Sequence, residues 1–202
     1  MEIIFATGNM HKVREAQEIL GPDYKLITPA SLGITEDIPE TGSTLHENSL
    51  QKARYVFERT GLACFADDTG LEVDSLGGEP GVYSARYAAM KGNAPEESHD
   101  FDANMDTLLK KLGDEPNRKA RFRSVITLIL PGGDIHCFEG EMTGRISYEK
   151  AGCGGFGYDP VFISDDFPQT TVAELPEGTK NTISHRGKAL RKFADWVKNN
   201  VK

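Results

Sequence analysis

Apolar positions along the chain change their spacing several times, and each change marks a new element. Glu2 to Ala6 reads as a first strand, Thr7-Gly8-Asn9 as a tight turn, and His11 to Leu20 as a helix. Val13, Ala16, Ile19 and Leu20 form the apolar stripe of that helix, and Gly21-Pro22 stops it. Tyr24 to Ile27 is a short strand, and Thr41 to Thr60 carries helical spacing. Leu62-Ala63-Cys64-Phe65-Ala66 is an apolar run that reads as a buried strand over Ala63 to Asp67, closed by the acids Asp67-Asp68. After the breaker-rich Gly77 to Gly81, Glu96 to Leu112 is an amphipathic helix bearing Phe101, Met105, Leu108, Leu109 and Leu112, ended by Gly113.

The second half opens differently. Ala120 to Leu130 alternates through Phe122, Val125, Thr127 and Ile129, then Pro131-Gly132-Gly133-Asp134 turns the chain. Ile135 to Met142 returns as the antiparallel partner, a hairpin that could form a second lobe. Gly152 to Gly157 is a glycine-rich loop, Pro160 to Ile163 a short strand, and Ser184 to Val201 a terminal helix with Ala189, Leu190, Phe193, Trp196 and Val197 on its apolar face. No repeat or long linker divides the 202 residues, so the expectation is a single domain over 1–202 with two lobes.

Composition narrows the class. A hydrophobic fraction of 38% with 27% charged residues excludes a disordered or membrane protein, and no apolar run approaches the roughly 20 residues that span a bilayer. Met1 to Ala6 is too short and acidic for a signal peptide, so a cytoplasmic location is the expectation. Three widely spaced cysteines support neither a disulfide framework nor a zinc site. A formal net charge of -8 argues against a stable complex with long nucleic acid, yet one Mg2+ and a few placed cations suffice to bind a triphosphate.

Four segments carry candidate chemistry. In Ala6-Thr7-Gly8-Asn9-Met10-His11-Lys12, a glycine permits close backbone approach, a helix start offers N–H groups, and Lys12 adds a point charge; these are parts of a phosphate cradle, or of a helix cap at Asn9. Asp67-Asp68-Thr69-Gly70 follows a strand whose alternation sends neighbouring carboxylates to opposite faces, one toward a cleft and one propping the turn. Such acids suit a hard cation and a water beside it, or simply a polar turn. In Gly154-Gly155-Phe156-Gly157-Tyr158-Asp159-Pro160 the aromatics are either a platform for a base or tucked into the core. Lys180-Asn181-Thr182-Ile183-Ser184-His185-Arg186 sets cations at a helix start, where the helix dipole disfavours them and an anionic ligand would explain them.

Together the motifs resemble, over essentially the whole chain, the house-cleaning nucleoside triphosphate pyrophosphatases that act on inosine and xanthosine triphosphates. The matching residues are Thr7-Gly8-Asn9 with Lys12, Glu47-Asn48 with Lys52, Asp67 to Leu71, Gly77-Gly78 through Pro80-Gly81, Ser84 to Tyr87, Gly155 to Pro160, and Ser184-His185-Arg186. Thr69 stands where many members carry serine and keeps the hydroxyl. The resemblance implies a mixed α/β fold, with an elongated sheet, flanking helices and two lobes around a central cleft, as a homodimer. It implies hydrolysis of ITP, dITP and XTP to the monophosphate and pyrophosphate with Mg2+. It assigns Asp68 as metal ligand and general base and Glu40 as the second metal carboxylate. Lys12, Lys52 and Thr7 to Asn9 would hold the triphosphate, Phe156 would stack on the purine, and Asp159 and Arg186 would read its edge. Thr69, Gly157, Tyr158, Lys180 and His185 complete the implied pocket. A related enzyme directed at pyrimidine or modified nucleotides, and a non-catalytic nucleotide sensor, stay as rivals. A dinucleotide-dependent oxidoreductase does not fit, because no GxGxxG follows the first strand.

Overall fold

The computed structural model describes residues 1–95 and 99–201. The chain runs β1 (Glu2–Phe5), α1 (Met10–Leu20), β2 (Lys25–Ile27), α2 (Leu45–Thr60), β3 (Cys64–Val73), β4 (Pro80–Gly81) and α3 (Tyr87–Met90). It continues as α4 (Phe101–Leu112), β5 (Lys119–Ile129), β6 (Ile135–Ile146), β7 (Phe162–Ser164), α5 (Glu177–Ile183) and α6 (His185–Asn200). The seven strands form one mixed sheet in the order β2-β1-β3-β5-β6-β7, with β4 paired to β3. β1 is parallel to β2 and β3, whereas β3–β4 and β6–β7 are antiparallel. The expected mixed α/β class is therefore the observed one.

Two compact units divide the chain. The first comprises Met1–Asp68, Ser124–Gly140 and Arg186–Lys202; the second comprises Thr69–Arg123 and Glu141–His185. In the first unit strand alternation sorts side chains into two layers. Ile3, Phe5, Phe65, Ile126 and Leu128 pack with Ala16 and Leu20 of α1 and Ala189, Leu190 and Phe193 of α6. Ile4, Ala6, Cys64, Ala66 and Ile129 pack with Ala53 and Val56 of α2 on the opposite face. Phe5 stacks on Phe65 at a centroid distance of 4.3 Å, so β1 and β3 share an aromatic step as well as their hydrogen bonds. The second unit has its own core, in which Leu71, Val73, Tyr87, Leu108, Phe122, Val161 and Phe162 meet.

Several expectations are corrected here. The strand expected over Ala63 to Asp67 begins at Cys64 and continues to Val73, so Asp67 and Asp68 lie in mid-strand and no turn follows them. Burial explains the continuation: Gly70, Leu71 and Val73 are buried and supply the apolar surface that extends β3. The hairpin is not a lobe of its own, because Ser124–Gly140 belongs to the first unit and its outer ends to the second. Two strands alone bury too little to stand by themselves, and β5 instead takes its place beside β3. α2 starts at Leu45 rather than Thr41, where Thr44 and Glu47 form a reciprocal capping box. The short strand expected at Pro160 is Phe162–Ser164, preceded by a helical turn at Asp159–Val161. The helix expected from Glu96 is described from Phe101, with Asp100 accepting from the Ala103 N–H at 3.0 Å; 96–98 lie outside the described residues. α5 was not expected. Seven residues are too few for a clear helical period.

Candidate active site

Both acids of β3 are buried, and alternation turns them to different layers. Asp67 follows Phe65 toward α1 and α6, where Lys12 Nζ donates to its Oδ1 at 2.9 Å and Arg186 Nε to its Oδ2 at 3.0 Å. Arg186 also pairs with Glu15 through its Nη1. Asp68 follows Ala66 toward α2, where Lys52 Nζ donates to its Oδ1 at 3.1 Å and also to Glu40. Asp68 Oδ2 is buried and has no hydrogen-bond partner among the described residues.

The electrostatics separate the two acids. Burial alone would raise the Asp67 carboxyl, but Lys12, Arg186 and Lys52 outweigh it and hold Asp67 well below the usual carboxylate range. For Asp68 burial prevails over Lys52, and Glu40 reinforces it, so the carboxyl rises above its ordinary value. Burial lowers the Lys12 ammonium despite Asp67. Lys52 moves the other way, because Asp68 and Glu40 overcome its burial. Glu40 falls below its ordinary value, Lys52 overcoming the effect of burial. The two adjacent carboxyls are thus shifted in opposite directions, Asp67 downward by its cations and Asp68 upward by burial.

Before α1 the chain turns tightly. Thr7 Oγ1 accepts from the Asn9 N–H at 3.1 Å, and Asn9 Oδ1 caps the helix by accepting from the N–H groups of His11 and Lys12 at 2.9 and 3.3 Å. Gly8 is exposed, and a Cβ there would meet nothing within 4 Å, so the fold itself does not require glycine at this position.

In the second unit, Phe156 is 47% exposed and meets the ring of Phe101 edge-on at 4.4 Å. Its loop is fastened by Asp159, which is buried and accepts from the Phe156 N–H at 2.6 Å while pairing with Lys180. The approach is so close that a Cβ at Gly155, whose φ is +81°, would stand 2.3 Å from Asp159 Oδ2. Tyr158 behaves as the core alternative anticipated: its ring is buried and its hydroxyl donates to the Ser84 carbonyl at 2.8 Å. Only its backbone is left to meet a ligand. His185 stacks on Phe122 at 4.9 Å, Thr69 is half-buried on β3, and Gly157 has a left-handed φ of +65°.

The family model described as the Ham1 family matches residues 3–196. The chain belongs to the Ham1 family. Among its relatives, a dITP/XTP pyrophosphatase of Flavobacterium johnsoniae is 47% identical over 197 residues, covering 98% of each chain. The dITP/XTP pyrophosphatase of Bacillus subtilis is 44% identical, covering 96% of this chain and 95% of that one. The solved structure of the Staphylococcus aureus Ham1 protein superposes with a TM-score of 0.88 at 37% identity, covering 98% of this chain and 99% of that one.

Against this Ham1 framework, the sequence-derived residues fall into two groups, each within one unit. Lys12, Glu40, Lys52, Asp68 and Arg186, with Thr7, Gly8 and Asn9, lie in the first; Thr69, Phe156, Gly157, Tyr158, Asp159, Lys180 and His185 lie in the second. Sequence reasoning cast Asp67 as a prop for a turn and overlooked Glu15. A signal for the second existed, since Lys12 and Glu15 are three apart on one helix and therefore share a face. No such signal existed for Asp67, whose two cations come from positions 12 and 186.

Proposed function

We propose that this chain hydrolyses the deaminated purine nucleoside triphosphates ITP, dITP and XTP to the monophosphate and pyrophosphate, with Mg2+ as its metal. One observation carries the reading: a buried carboxylate, Asp68, with one oxygen on Lys52 and the other without a partner among the described residues. The dITP/XTP pyrophosphatases to which the chain is similar along nearly its whole length support the substrate class.

The residues fit a divalent metal of the magnesium kind. No group of three or more His, Cys, Asp or Glu side chains converges among the described residues. Mg2+ however is commonly held by one or two carboxylates, with water and substrate phosphates completing its shell. Glu40 and Asp68, sharing Lys52, would be those carboxylates. When bound, the metal supplies positive charge where negative charge builds up on phosphate oxygens.

The protein's own groups do the rest. Asp68 Oδ2 accepts a proton from water as the water oxygen bonds to the α-phosphorus; the bond from that phosphorus to the α,β-bridging oxygen breaks, and pyrophosphate leaves. A carboxyl raised by burial is the better base for this step. Lys52 and Lys12 stabilise charge on the phosphates, and the backbone at Gly8 is open to close approach by one. Phe156 offers its ring to the purine. A cationic donor at the base edge rewards a 6-oxo acceptor and leaves the 6-amino group of adenine unpaired, a penalty of about 1–3 kcal/mol. The resemblance gives that role to Arg186, while Lys180 is the cation joined to the Phe156 loop through Asp159.

No described helix is long and apolar enough to cross a membrane. The resemblance further supports a homodimer, the formal net charge of -8 argues against stable nucleic-acid partners, and a cytoplasmic location is proposed with them. The deciding experiment is pyrophosphate release from ITP, XTP, dITP, GTP, ATP and UTP, each with Mg2+ and with EDTA. Metal-dependent preference for the first three is expected. Equal turnover of UTP, or binding without release, would replace this reading with one of its rivals.

A further inference from the structure

We infer that Gln51, assisted by Asn48, is a positioning residue for Glu40: it fastens the irregular segment 40–44 to α2 so that the Glu40 carboxylate is held with Asp68 on the shared ammonium of Lys52. This rests on the reading of Glu40 and Asp68 as the metal-holding pair. Glu40 belongs to neither helix nor strand, and its side chain is 37% exposed. Nothing in its own local backbone pattern fixes where that carboxylate points.

The side chains of α2 supply what the backbone lacks. Gln51 Oε1 accepts from the Thr41 N–H at 2.9 Å, and Gln51 Nε2 donates to Thr41 Oγ1, also at 2.9 Å. One side-chain amide thus grips both the main chain and the side chain of the residue next to Glu40. Asn48, 1% exposed, accepts from the Gly42 N–H at 2.7 Å. Gly42 lies so close to the helix that a Cβ there would stand 2.6 Å from Glu47 Cβ and 2.9 Å from Asn48 Oδ1. Starting α2 needs only the reciprocal Thr44–Glu47 cap. The bonds from Gln51 and Asn48 reach beyond that cap, to Thr41 and Gly42, and so toward Glu40. Gln51 immediately precedes Lys52, so one helical turn carries both the grip on the segment and the cation its carboxylate meets. Groups that orient a metal carboxylate in this way commonly change metal affinity about tenfold to a hundredfold when removed.

The test uses Mn2+ as the probe, titrated into metal-free protein and followed by the electron paramagnetic resonance signal of the free ion. Gln51→Leu keeps the bulk and removes both bonds; we expect its Mn2+ dissociation constant to rise about tenfold or more. Its metal-free melting temperature should stay near that of wild type, and raising Mg2+ should restore turnover. Thr41→Val, which loses only the hydroxyl half of the grip, should shift affinity in the same direction by less. Because Gln51 acts through Glu40, adding Gln51→Leu to Glu40→Gln should weaken Mn2+ binding no further than Glu40→Gln alone. Wild-type affinity in Gln51→Leu, or additive losses in the double variant, would overturn the inference. Wild-type affinity in Glu40→Gln would instead overturn the assignment of Glu40 as a ligand, and the inference with it.

Discussion

Arg186 donates through Nε to Oδ2 of Asp67 at 3.0 Å, and the two side chains are 13% and 2% exposed. The contact joins position 186 to position 67 and, through the other oxygen of Asp67, to Lys12. Asp67→Asn would leave two largely buried cations without their shared anion. We expect a loss of about 3–5 kcal/mol in stability, measured by urea denaturation, since breaking a buried ion pair strands its partners. A loss below about 1 kcal/mol would show that Lys12 and Arg186 find other compensation.

Asp68→Asn should behave in the opposite way. Its carboxyl is raised in the fold by burial, so an amide there removes a desolvated charge, while Lys52 keeps its pair with Glu40. Stability should hold or increase while turnover falls at least about 100-fold, the usual worth of a general base. A variant that keeps more than about a tenth of wild-type rate would remove Asp68 from that role.

Phe156→Ala separates binding from packing. The ring is 47% exposed, so its loss should leave the melting temperature nearly unchanged while KM for ITP rises by a factor equivalent to about 1–3 kcal/mol of stacking. A core phenylalanine would instead cost about 3–5 kcal/mol of stability. Asp159→Asn tests the fastening: it should raise KM in the same direction with Phe156 itself intact, because the amide loses the charge that pairs with Lys180.

Glu79 gives a pH signature. Lys111 and Lys91 bring its carboxyl from 4.5 down to about 2, with the Tyr87 hydroxyl also donating to it. A folded value below the unfolded one means that Glu79 stabilises fully above about 4.5 and progressively less as pH falls toward 2. The group is 35% exposed, so screening limits the contribution to about 1 kcal/mol or less. Glu79→Gln should lower stability at pH 7 and flatten this part of the acid limb; an unchanged acid limb would show that the lysines contribute nothing there.

Thiol labelling reports the α2-facing core. Cys64 is buried and its thiol is pushed up to about 12, whereas Cys137 and Cys153 are exposed. A buried thiol raised this far is very little ionised at pH 8, so two thiols should react in the native protein and the third only on unfolding. Rapid reaction of all three would mean that the layer between β3 and α2 opens readily.

The chain's periodicity determined β1, α1, β5 and the apolar face of α6, because each buries one stripe or face whose spacing is written locally. Its motifs likewise brought Lys12, Lys52, Asp68 and Phe156 to notice before any fold was known. The outcome at Asp67 and Asp68 was decided by the tertiary structure. Adjacent in sequence and identical in type, they differ because β3 continues through them and turns one to α1 and α6, the other to α2. The cations that hold Asp67 low lie 55 and 119 residues away, and no local pattern encodes such a distance. The same holds for Tyr158 and Phe156: two residues apart in one loop, one is drawn into the core by the Ser84 carbonyl and the other is left outside. Local spacing specifies which face a side chain takes; the charge and burial that face meets arise only when distant segments close over it.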